Sequence, residues 1–186
     1  MELKVLRNKH YFRPIRIKMV SINNVFTRIF TFTKSTLTEL AYSQLNKLTG
    51  FSTDPLMLNS IRVAFKANKG YIYLYSYIRI NGIHVREYDK YIGKVLIDNE
   101  VQIKILRTDD NILYNITQND TVFLCSIRLS ISTFLFGFEH NPYYGGRYPA
   151  PNDMIIQRDD NTDKIQKHKR FLYKVLYFFK SLFKIK

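Results

Sequence analysis

The middle of the chain alternates apolar and polar residues with the period of two that is typical of β-strands. At 59–67, Ile61, Val63 and Phe65 alternate with polar or small residues, which predicts a strand with one buried face. At 71–80, four tyrosines fall on one face and aliphatic residues on the other. This second pattern predicts a central strand with both faces covered, in which the tyrosines pack between two sheets.

Turn residues separate these segments at regular distances. Asn81 and Gly82 tolerate positive φ at both central positions of a type I′ turn, so 71–80 and 83–88 are predicted to form a hairpin. A polar turn at 108–111 predicts a second hairpin. Further strands are predicted at 14–20, 25–33, 121–129, 133–138 and 152–157. About ten short strands favour an all-β antiparallel sandwich of the jelly-roll type over a parallel sheet.

The period changes after Lys164, where the pattern predicts a basic amphipathic helix. Asp159, Asp160 and Asp163 precede it and suit the positive end of a helix dipole. Such a helix can dock into a partner protein, fold back on its own domain or lie on an acidic membrane surface. Docking is the favoured interpretation and membrane contact the least favoured. The helix residues predicted to bind a partner are Lys167, Arg170, Phe171, Lys174, Phe178, Phe179 and Phe183.

Basic residues are concentrated at the two ends of the chain. The chain has 186 residues and a net charge of +14, and its 46% hydrophobic content is enough for one core. We therefore predict a basic N-terminal arm at 1–18, a sandwich domain at 19–158, and a linker with the amphipathic helix at 159–186. Arg7, Arg13 and Arg16 are the predicted partner-binding residues of the first arm. The arms are expected to contact neighbouring protein subunits, or nucleic acid through its phosphates.

Motifs for catalysis or metal binding are absent from the sequence. It contains no phosphate-binding loop, no metal-ligand spacing and no nucleophile elbow, and its four histidines are scattered. Glu87 with Asp89, and Glu139 beside His140, are the nearest carboxylate candidates, but neither forms the converging set that a glycanase needs. Cys125 is predicted to be a small buried hydrophobic residue. We expect no catalytic residue, no metal and no cofactor.

The N-terminal residues alternate charged and apolar side chains and contain no uninterrupted apolar stretch. This pattern predicts that the protein is not exported by a classical secretory signal. No run of about eighteen apolar residues occurs, so a membrane-spanning helix is not expected. The expected location is a virion, or the host cytoplasm before assembly.

The loop NPYYGGRYPAPND at 141–153 combines aromatic side chains with adjacent glycines and fixed prolines. Gly145 and Gly146 predict a turn that adopts positive φ, and the last strand is expected to begin at Met154. One interpretation is a rigid corner that closes the sandwich. The other is a glycan-binding surface, whose predicted residues are Tyr143, Tyr144, Arg147 and Tyr148.

Five segments in order carry a resemblance to a known group: QLNKLTGFS, NSIRVAFK, YLYSYIRINGI, VQIKIL and NPYYGGRYPAPNDMII. Over about residues 40–157 the chain resembles small jelly-roll, concanavalin-like proteins of Bacteroidetes and their phages. The resemblance implies a two-sheet β-sandwich and offers no catalytic residues to transfer. The sequence departs from the group at Leu56-Met57-Leu58 and at Asn152, where the group has histidines.

Three functions are compatible with these patterns. The first is a structural or assembly role in a bacteriophage virion, in which the basic arms fasten the sandwich to neighbouring subunits. The second is glycan binding, because tyrosine rings stack well on sugar rings; the platform would be the tyrosines of 71–77 together with the 141–153 loop. The third is sequence-independent binding of nucleic acid. The assembly role is the favoured hypothesis.

Overall fold

The computed structural model describes residues 1–13, 17–21, 25–37, 45–54, 56–108, 110–129, 136–145 and 148–159. Side chains are described throughout these ranges except at 17–21, Phe136 and His140. The described residues form thirteen strands and two short 3-10 turns, Lys34–Thr36 and Arg86–Tyr88, with no α-helix among them. None of the described segments is a helix that could cross a membrane.

The strands form two antiparallel sheets. The six-stranded sheet has, in spatial order, β1 (Glu2–Val5), β13 (Met154–Asp159), β3 (Val25–Phe32), β9 (Glu100–Arg107), β10 (Asn111–Gln118) and β11 (Thr121–Arg128). The seven-stranded sheet has β2 (Ile17–Ser21), β12 (Phe136–His140), β4 (Asn46–Ser52), β5 (Ser60–Asn68), β6 (Tyr71–Ile80) and β7 (Ile83–His84), with β8 (Tyr91–Leu96) also paired to β6. The predicted antiparallel β-sandwich is confirmed.

The core lies between the two sheets, where alternate residues of both meet. Phe32 of one sheet packs on Phe65 of the other with ring centroids 5.3 Å apart, and Phe26 packs on Phe51 at 5.8 Å. Such tilted aromatic pairs add to the free energy gained from apolar burial. Cys125 is half-buried against this core, and burial raises the pKa of its thiol, in agreement with its predicted role as a small hydrophobic residue.

Both predicted hairpins are present. Asn81 has a φ of 50° and Gly82 a φ of 80°, the positive values that a type I′ turn requires. The strand after this turn, β7, is shorter than predicted, because residues 86–88 form a 3-10 turn. The chain then returns as β8, which is the main partner of β6 on that side and was not predicted. β10 pairs with β9 across the predicted 108–111 turn.

The N-terminal residues correct the predicted arm. Residues 2–5 form β1, which pairs with β13, and both Leu3 and Val5 are completely buried. Phe12 is also completely buried. This part of 1–18 therefore belongs to the sandwich, because its alternating Leu and Val complete one sheet edge in spite of the flanking charges.

A buried ionic cluster joins the two sheets. Both nitrogens of the Arg28 guanidinium fork, Nε and Nη2, donate to the carboxylate of Glu139, with Nε 2.6 Å from Oε1. Arg158 Nη1 donates to the same Oε1 at 3.4 Å. All three side chains are at least nine-tenths buried. Glu139, considered from sequence as a catalytic carboxylate, is instead the counter-ion of two buried arginines.

Several predicted features lie outside the described residues. These are the C-terminal helix, the strand residues 133–135, Gly146 and nine predicted binding residues. The nine are one arm residue, one loop residue and all seven helix residues: Arg16, Arg147, Lys167, Arg170, Phe171, Lys174, Phe178, Phe179 and Phe183. The amphipathic helix and its docking therefore stay predictions.

Candidate ligand-binding face

The outer surface of the seven-stranded sheet, which we name the front face, carries the tyrosine ladder of β6. Ile72, Leu74 and Ile78 point into the core, so the alternating tyrosines point away from it. Tyr71, Tyr73 and Tyr75 are half-buried and Tyr77 is buried. The prediction that the ladder packs between the two sheets is wrong, because the aliphatic set of the same strand occupies the interior.

Three tyrosines from adjacent strands form an aromatic cluster on the front face. Tyr91 of β8 lies opposite Tyr75 of β6. Its ring centroid is 5.8 Å from that of Tyr75 at an angle of 64°, and 6.2 Å from that of Tyr73 at 42°. Tyr91 is 52% exposed. The Tyr91 ring is therefore inclined to both β6 rings and joins them into one aromatic cluster.

Cations alternate with these rings. Lys66 of β5 and Lys94 of β8 both lie opposite Tyr73 in the strand register, one on each side. Their ammonium groups lie over neighbouring rings, Lys66 Nζ at 5.6 Å from the centroid of Tyr75 and Lys94 Nζ at 4.7 Å from that of Tyr71. These are cation–π distances. Tyr73 is thus a central ring flanked by two lysines.

A second cluster continues the front face toward the 141–145 loop. Lys47 Nζ lies 4.8 Å from the ring centroid of Tyr77 and 5.5 Å from that of Tyr143, and it donates to the Gly145 carbonyl at 3.2 Å. Tyr143 also stacks on His10, at 5.5 Å, and meets Tyr11 edge-on at 4.9 Å. Lys47 therefore connects the β6 ladder with the loop that the sequence singled out.

The electrostatic environment of Lys47 is unusually positive. Burial is the largest cause that lowers the pKa of Lys47 to about 8, and the charges of Arg62 and Arg79 lower it further. Arg62 is itself buried, which lowers its pKa to about 10, and it donates to the Asn141 carbonyl at 3.1 Å. Asp89, the nearby carboxylate, is engaged by His84 Nε2 at 2.8 Å.

Hydroxyl groups of the front face stay protonated well above neutral pH. Burial raises the pKa of Tyr75, Tyr77, Tyr91 and Tyr143. Neutral phenols keep both a hydrogen-bond donor and an acceptor at the edge of each ring. The face therefore combines apolar ring surface, neutral hydroxyls and ammonium groups.

The predicted glycan-binding residues separate in the structure. Tyr143 is half-buried on the front face and Tyr148 is 55% exposed, but Tyr144 is completely buried and belongs to the core. Tyr144 is therefore unable to stack on a ligand. Gly145 has a φ of 71°, as predicted for the turn, and β13 begins at Met154 as predicted. The loop both closes the sandwich and supplies Tyr143 to the front face.

Sequence patterns missed the residues that complete the front face. Lys47, Lys94 and Tyr91 were not singled out, since β4 and β8 were not recognised as strands. Lys66 lies on β5, a predicted strand, but its position beside Tyr73 depends on the register with β6. In β8 the outward residues Tyr91 and Lys94 are three positions apart instead of two. The extra residue forms a bulge opposite Leu74 and Tyr75, which hides the period of two in the sequence. Among the described residues, no group of three histidine, cysteine, aspartate or glutamate side chains could hold a metal ion.

No protein-family model matches the chain. No curated protein matches it either. Solved structures that resemble it include carbohydrate binding module CBM66 from Bacillus subtilis, at 11% identity and a TM-score of 0.40, covering 80% of this chain and 81% of that one.

Two further solved structures show a similar level of likeness. The CBM2 module of the evolved Dit of Lactobacillus casei BL23 phage J-1 has 8% identity and a TM-score of 0.47, covering 83% of this chain and 74% of that one. Sheep galectin-11 in complex with glycerol has 9% identity and a TM-score of 0.38, covering 78% and 97%. The function therefore has to follow from the geometry of the front face itself.

Proposed function

We propose that the protein is a carbohydrate-binding module whose ligand lies on the front face, with Tyr73, Tyr75 and Tyr91 as the stacking platform. The observation that carries the proposal is the outward orientation of the tyrosine ladder. A strand that needs only a solvated outer face can use small polar or charged side chains there. Here partly exposed aromatic rings from two adjacent strands converge instead.

The chemistry of these rings suits sugars. A pyranose presents a face of C–H groups that packs on an aromatic ring and an edge of hydroxyls that needs hydrogen-bond partners. Tyrosine supplies both a flat apolar body and a phenolic hydroxyl. Ligand sites in general combine aromatic lining with a few convergent polar groups. The cluster of Tyr73, Tyr75 and Tyr91 with its flanking lysines has this composition.

Cross-strand aromatic pairs also stabilise a sheet, so stability has to be measured beside binding. The test compares Tyr73→Leu and Tyr91→Leu with Tyr73→Phe and Tyr91→Phe on an array of immobilised neutral and acidic oligosaccharides. We expect each leucine substitution to raise the Kd by about three- to tenfold, because the stacking contribution of a ring is lost. The phenylalanine variants should retain most of the affinity, since they retain the ring.

Thermal unfolding of the same variants separates the two roles of the rings. A leucine variant that unfolds like the original protein but binds more weakly supports a ligand platform. If the original protein binds no oligosaccharide on the array, the proposed function is wrong. If Tyr148→Leu weakens binding while the β6 and β8 variants do not, the ligand lies on the 141–153 loop as the sequence alone suggested.

Assembly into a phage particle is the second candidate function. Arg7 and Arg13, two of the predicted partner-binding residues, are exposed in the described N-terminal segment. Deleting 1–18 is a poor test of this role, because it would remove β1 from the sheet. The variant Arg7→Gln with Arg13→Gln leaves β1 intact. Loss of this variant from purified particles, in which the original protein is retained, would support the assembly role.

A further inference from the structure

The positive charge of the front face is only partly compensated by carboxylates among the described residues, since the charge of Asp89 raises the pKa of Lys47 but does not offset burial and the two arginines. Lys47, Lys66 and Lys94 form no ion pair with a carboxylate there. Asp89 is held by His84. In contrast, Lys4 on the six-stranded sheet pairs with Asp153 at 2.9 Å. A surface with interspersed charges of both signs would be expected if the lysines served solubility alone.

The two lysines beside Tyr73 are placed symmetrically around a ring that could hold one sugar. Directly opposite residues on neighbouring strands have Cβ atoms about 5 Å apart, so the stems of Lys66 and Lys94 rise about 5 Å on either side of Tyr73. Their ammonium groups rest over the rings of Tyr75 and Tyr71. A ligand that stacks along the ladder has to displace these ammonium groups from the rings.

Displacement distinguishes neutral from acidic sugars. A neutral sugar takes the place of the ammonium group on a ring and offers it no charge in return. A sugar that carries a carboxylate or sulfate pairs with the displaced ammonium group, and a charge-assisted hydrogen bond is stronger than a neutral one. The cation–π contact that is lost is then replaced by an ion pair at the rim of the ligand.

The ladder is long enough for several such units. Tyr71 and Tyr75, the ends of its partly exposed portion, are four residues apart on one extended strand, which separates them by about 13 Å. Tyr77 is buried and continues the face toward Lys47 without offering a ring to a ligand. Lys47 lies at the Tyr77 end and Lys94 at the Tyr71 end. Acidic groups spaced along an oligosaccharide would therefore meet a lysine at each end and in the middle of the face.

We propose that the ligand of the front face is an acidic oligosaccharide, whose rings stack on Tyr71, Tyr73 and Tyr75 and whose carboxylate or sulfate groups pair with Lys47, Lys66 and Lys94. This inference rests on the proposed carbohydrate-binding function and adds the charge of the ligand to it. The neutral stacking surface explains why a sugar binds, and the unpaired lysines select its acidic form.

The test uses ligands with the same sugar rings, in which each carboxylate is either free or neutralised as a methyl ester. Oligogalacturonate and oligoglucuronate hexamers are compared with their fully methyl-esterified forms by calorimetry on the full chain. We expect the acids to bind at least about tenfold more tightly than the esters at low salt, a preference that falls as NaCl is raised. The variant Lys66→Gln with Lys94→Gln should lose the preference and still bind the esters.

Matched controls identify the source of the preference. Lys104→Gln removes a lysine from the outer surface of the opposite sheet and should leave the preference unchanged. Polyglutamate, a polyanion without sugar rings, should bind at least about tenfold more weakly than the hexamers, since it gains no stacking. Equal binding of polyglutamate would overturn the inference, because charge alone would then suffice.

The remaining outcomes separate the inference from the proposed function. Equal affinity for acids and esters would overturn the inference and leave carbohydrate binding in place. Failure of both acids and esters to bind would overturn both. A further outcome is that an oligothymidylate binds more tightly than either form of the hexamers, through Tyr73 and Lys66. That outcome would overturn both the inference and the proposed function in favour of single-stranded nucleic acid, which is bound by the same types of side chain.

Discussion

Two groups of cations in this protein are stabilised in different ways. In the interior, Arg28 and Arg158 share the carboxylate of Glu139 and are almost completely buried. On the front face, Lys66 and Lys94 rest on tyrosine rings and have no carboxylate partner among the described residues. A buried charge destabilises the fold unless it is paired or hydrogen-bonded, whereas a partly exposed charge is stabilised by water. The interior group therefore serves folding, and the front-face group is free to serve binding.

The largest effect is expected where the interior pairing is broken. Glu139→Gln keeps the shape of the side chain but removes the negative charge of the carboxylate that accepts from both Arg28 and Arg158. We expect the free energy of unfolding to fall by about 3–5 kcal/mol, because two guanidinium groups stay buried while the negative charge that they share is lost. Chemical denaturation measures it. A loss below about 1 kcal/mol would mean that these arginines do not depend on Glu139.

A smaller loss is expected where the front face meets the core. A Cβ added at Gly93 of β8 would lie 2.3 Å from Cγ of the Phe123 ring, which reaches it from the opposite sheet. Gly93→Ala should cost about 1–3 kcal/mol in unfolding free energy, because the ring or the strand has to shift. Since β8 carries Tyr91 and Lys94, ligand affinity should fall as well. Gly70→Ala is the control, because a Cβ added at Gly70 would have no atom within 4 Å. This substitution should reduce the free energy of unfolding by less than Gly93→Ala, through the positive φ of 84° alone.

A pH effect on binding is expected from Lys47. The charged groups that act on this lysine are Arg62, Arg79 and Asp89. Its ammonium group also lies over the rings of Tyr77 and Tyr143, and His84 stacks on Tyr77. Burial and the two arginines lower the pKa of Lys47 to about 8, while Asp89 opposes the shift. Lys47 therefore loses its charge as pH rises through 8, and an anionic ligand is held less tightly above that value. We expect affinity for oligogalacturonate to fall by about threefold between pH 7 and pH 9.

The control for this pH effect replaces the lysine with a group that stays charged. Lys47→Arg should remove the decrease above pH 8, because a guanidinium remains protonated throughout this range. The raised pKa values of Tyr77 and Tyr143 leave both phenols neutral there. A decrease that persists in Lys47→Arg would assign the titration to another group.

The smallest effect on folding is expected from the unpaired lysines. Lys66→Gln with Lys94→Gln should change the free energy of unfolding by no more than about 0.5 kcal/mol, because partly exposed cation–π contacts are weak and water solvates the glutamines. Thermal unfolding measures it. A loss as large as that of Glu139→Gln would remove the distinction between the two groups of cations.

The sequence was informative where one face of a strand is apolar and the other polar. Ile61, Val63 and Phe65 gave the correct inward face of β5, and Asn81-Gly82 gave the correct turn. In β6 both faces contain rings or aliphatic groups, so the pattern located the strand without deciding which side is solvated. Burying the aliphatic side avoids placing the four hydroxyls of the ladder in the core, which already contains the completely buried Tyr114 and Tyr144.

The position of the lysines could not be read from local patterns. Lys47 reaches Tyr143 because β4 forms an isolated bridge with the 141–145 loop, ninety-six positions away along the chain. The neighbours of Tyr73 are fixed by the registers of β5 and β8 together. In the same way, the charged residues around Leu3 and Val5 concealed a strand whose partner, β13, lies at the other end of the described chain.

The register of β6 also restricts how the front face can change in evolution. β6 pairs with β5 on one side and with β7 and β8 on the other, and its tyrosines alternate strictly with core residues. Inserting or deleting one residue in this strand would turn every later tyrosine into the core and every later aliphatic residue into solvent. Related proteins should therefore diverge in ligand by substitution at positions 71, 73, 75 and 77, while the length of the strand stays constant.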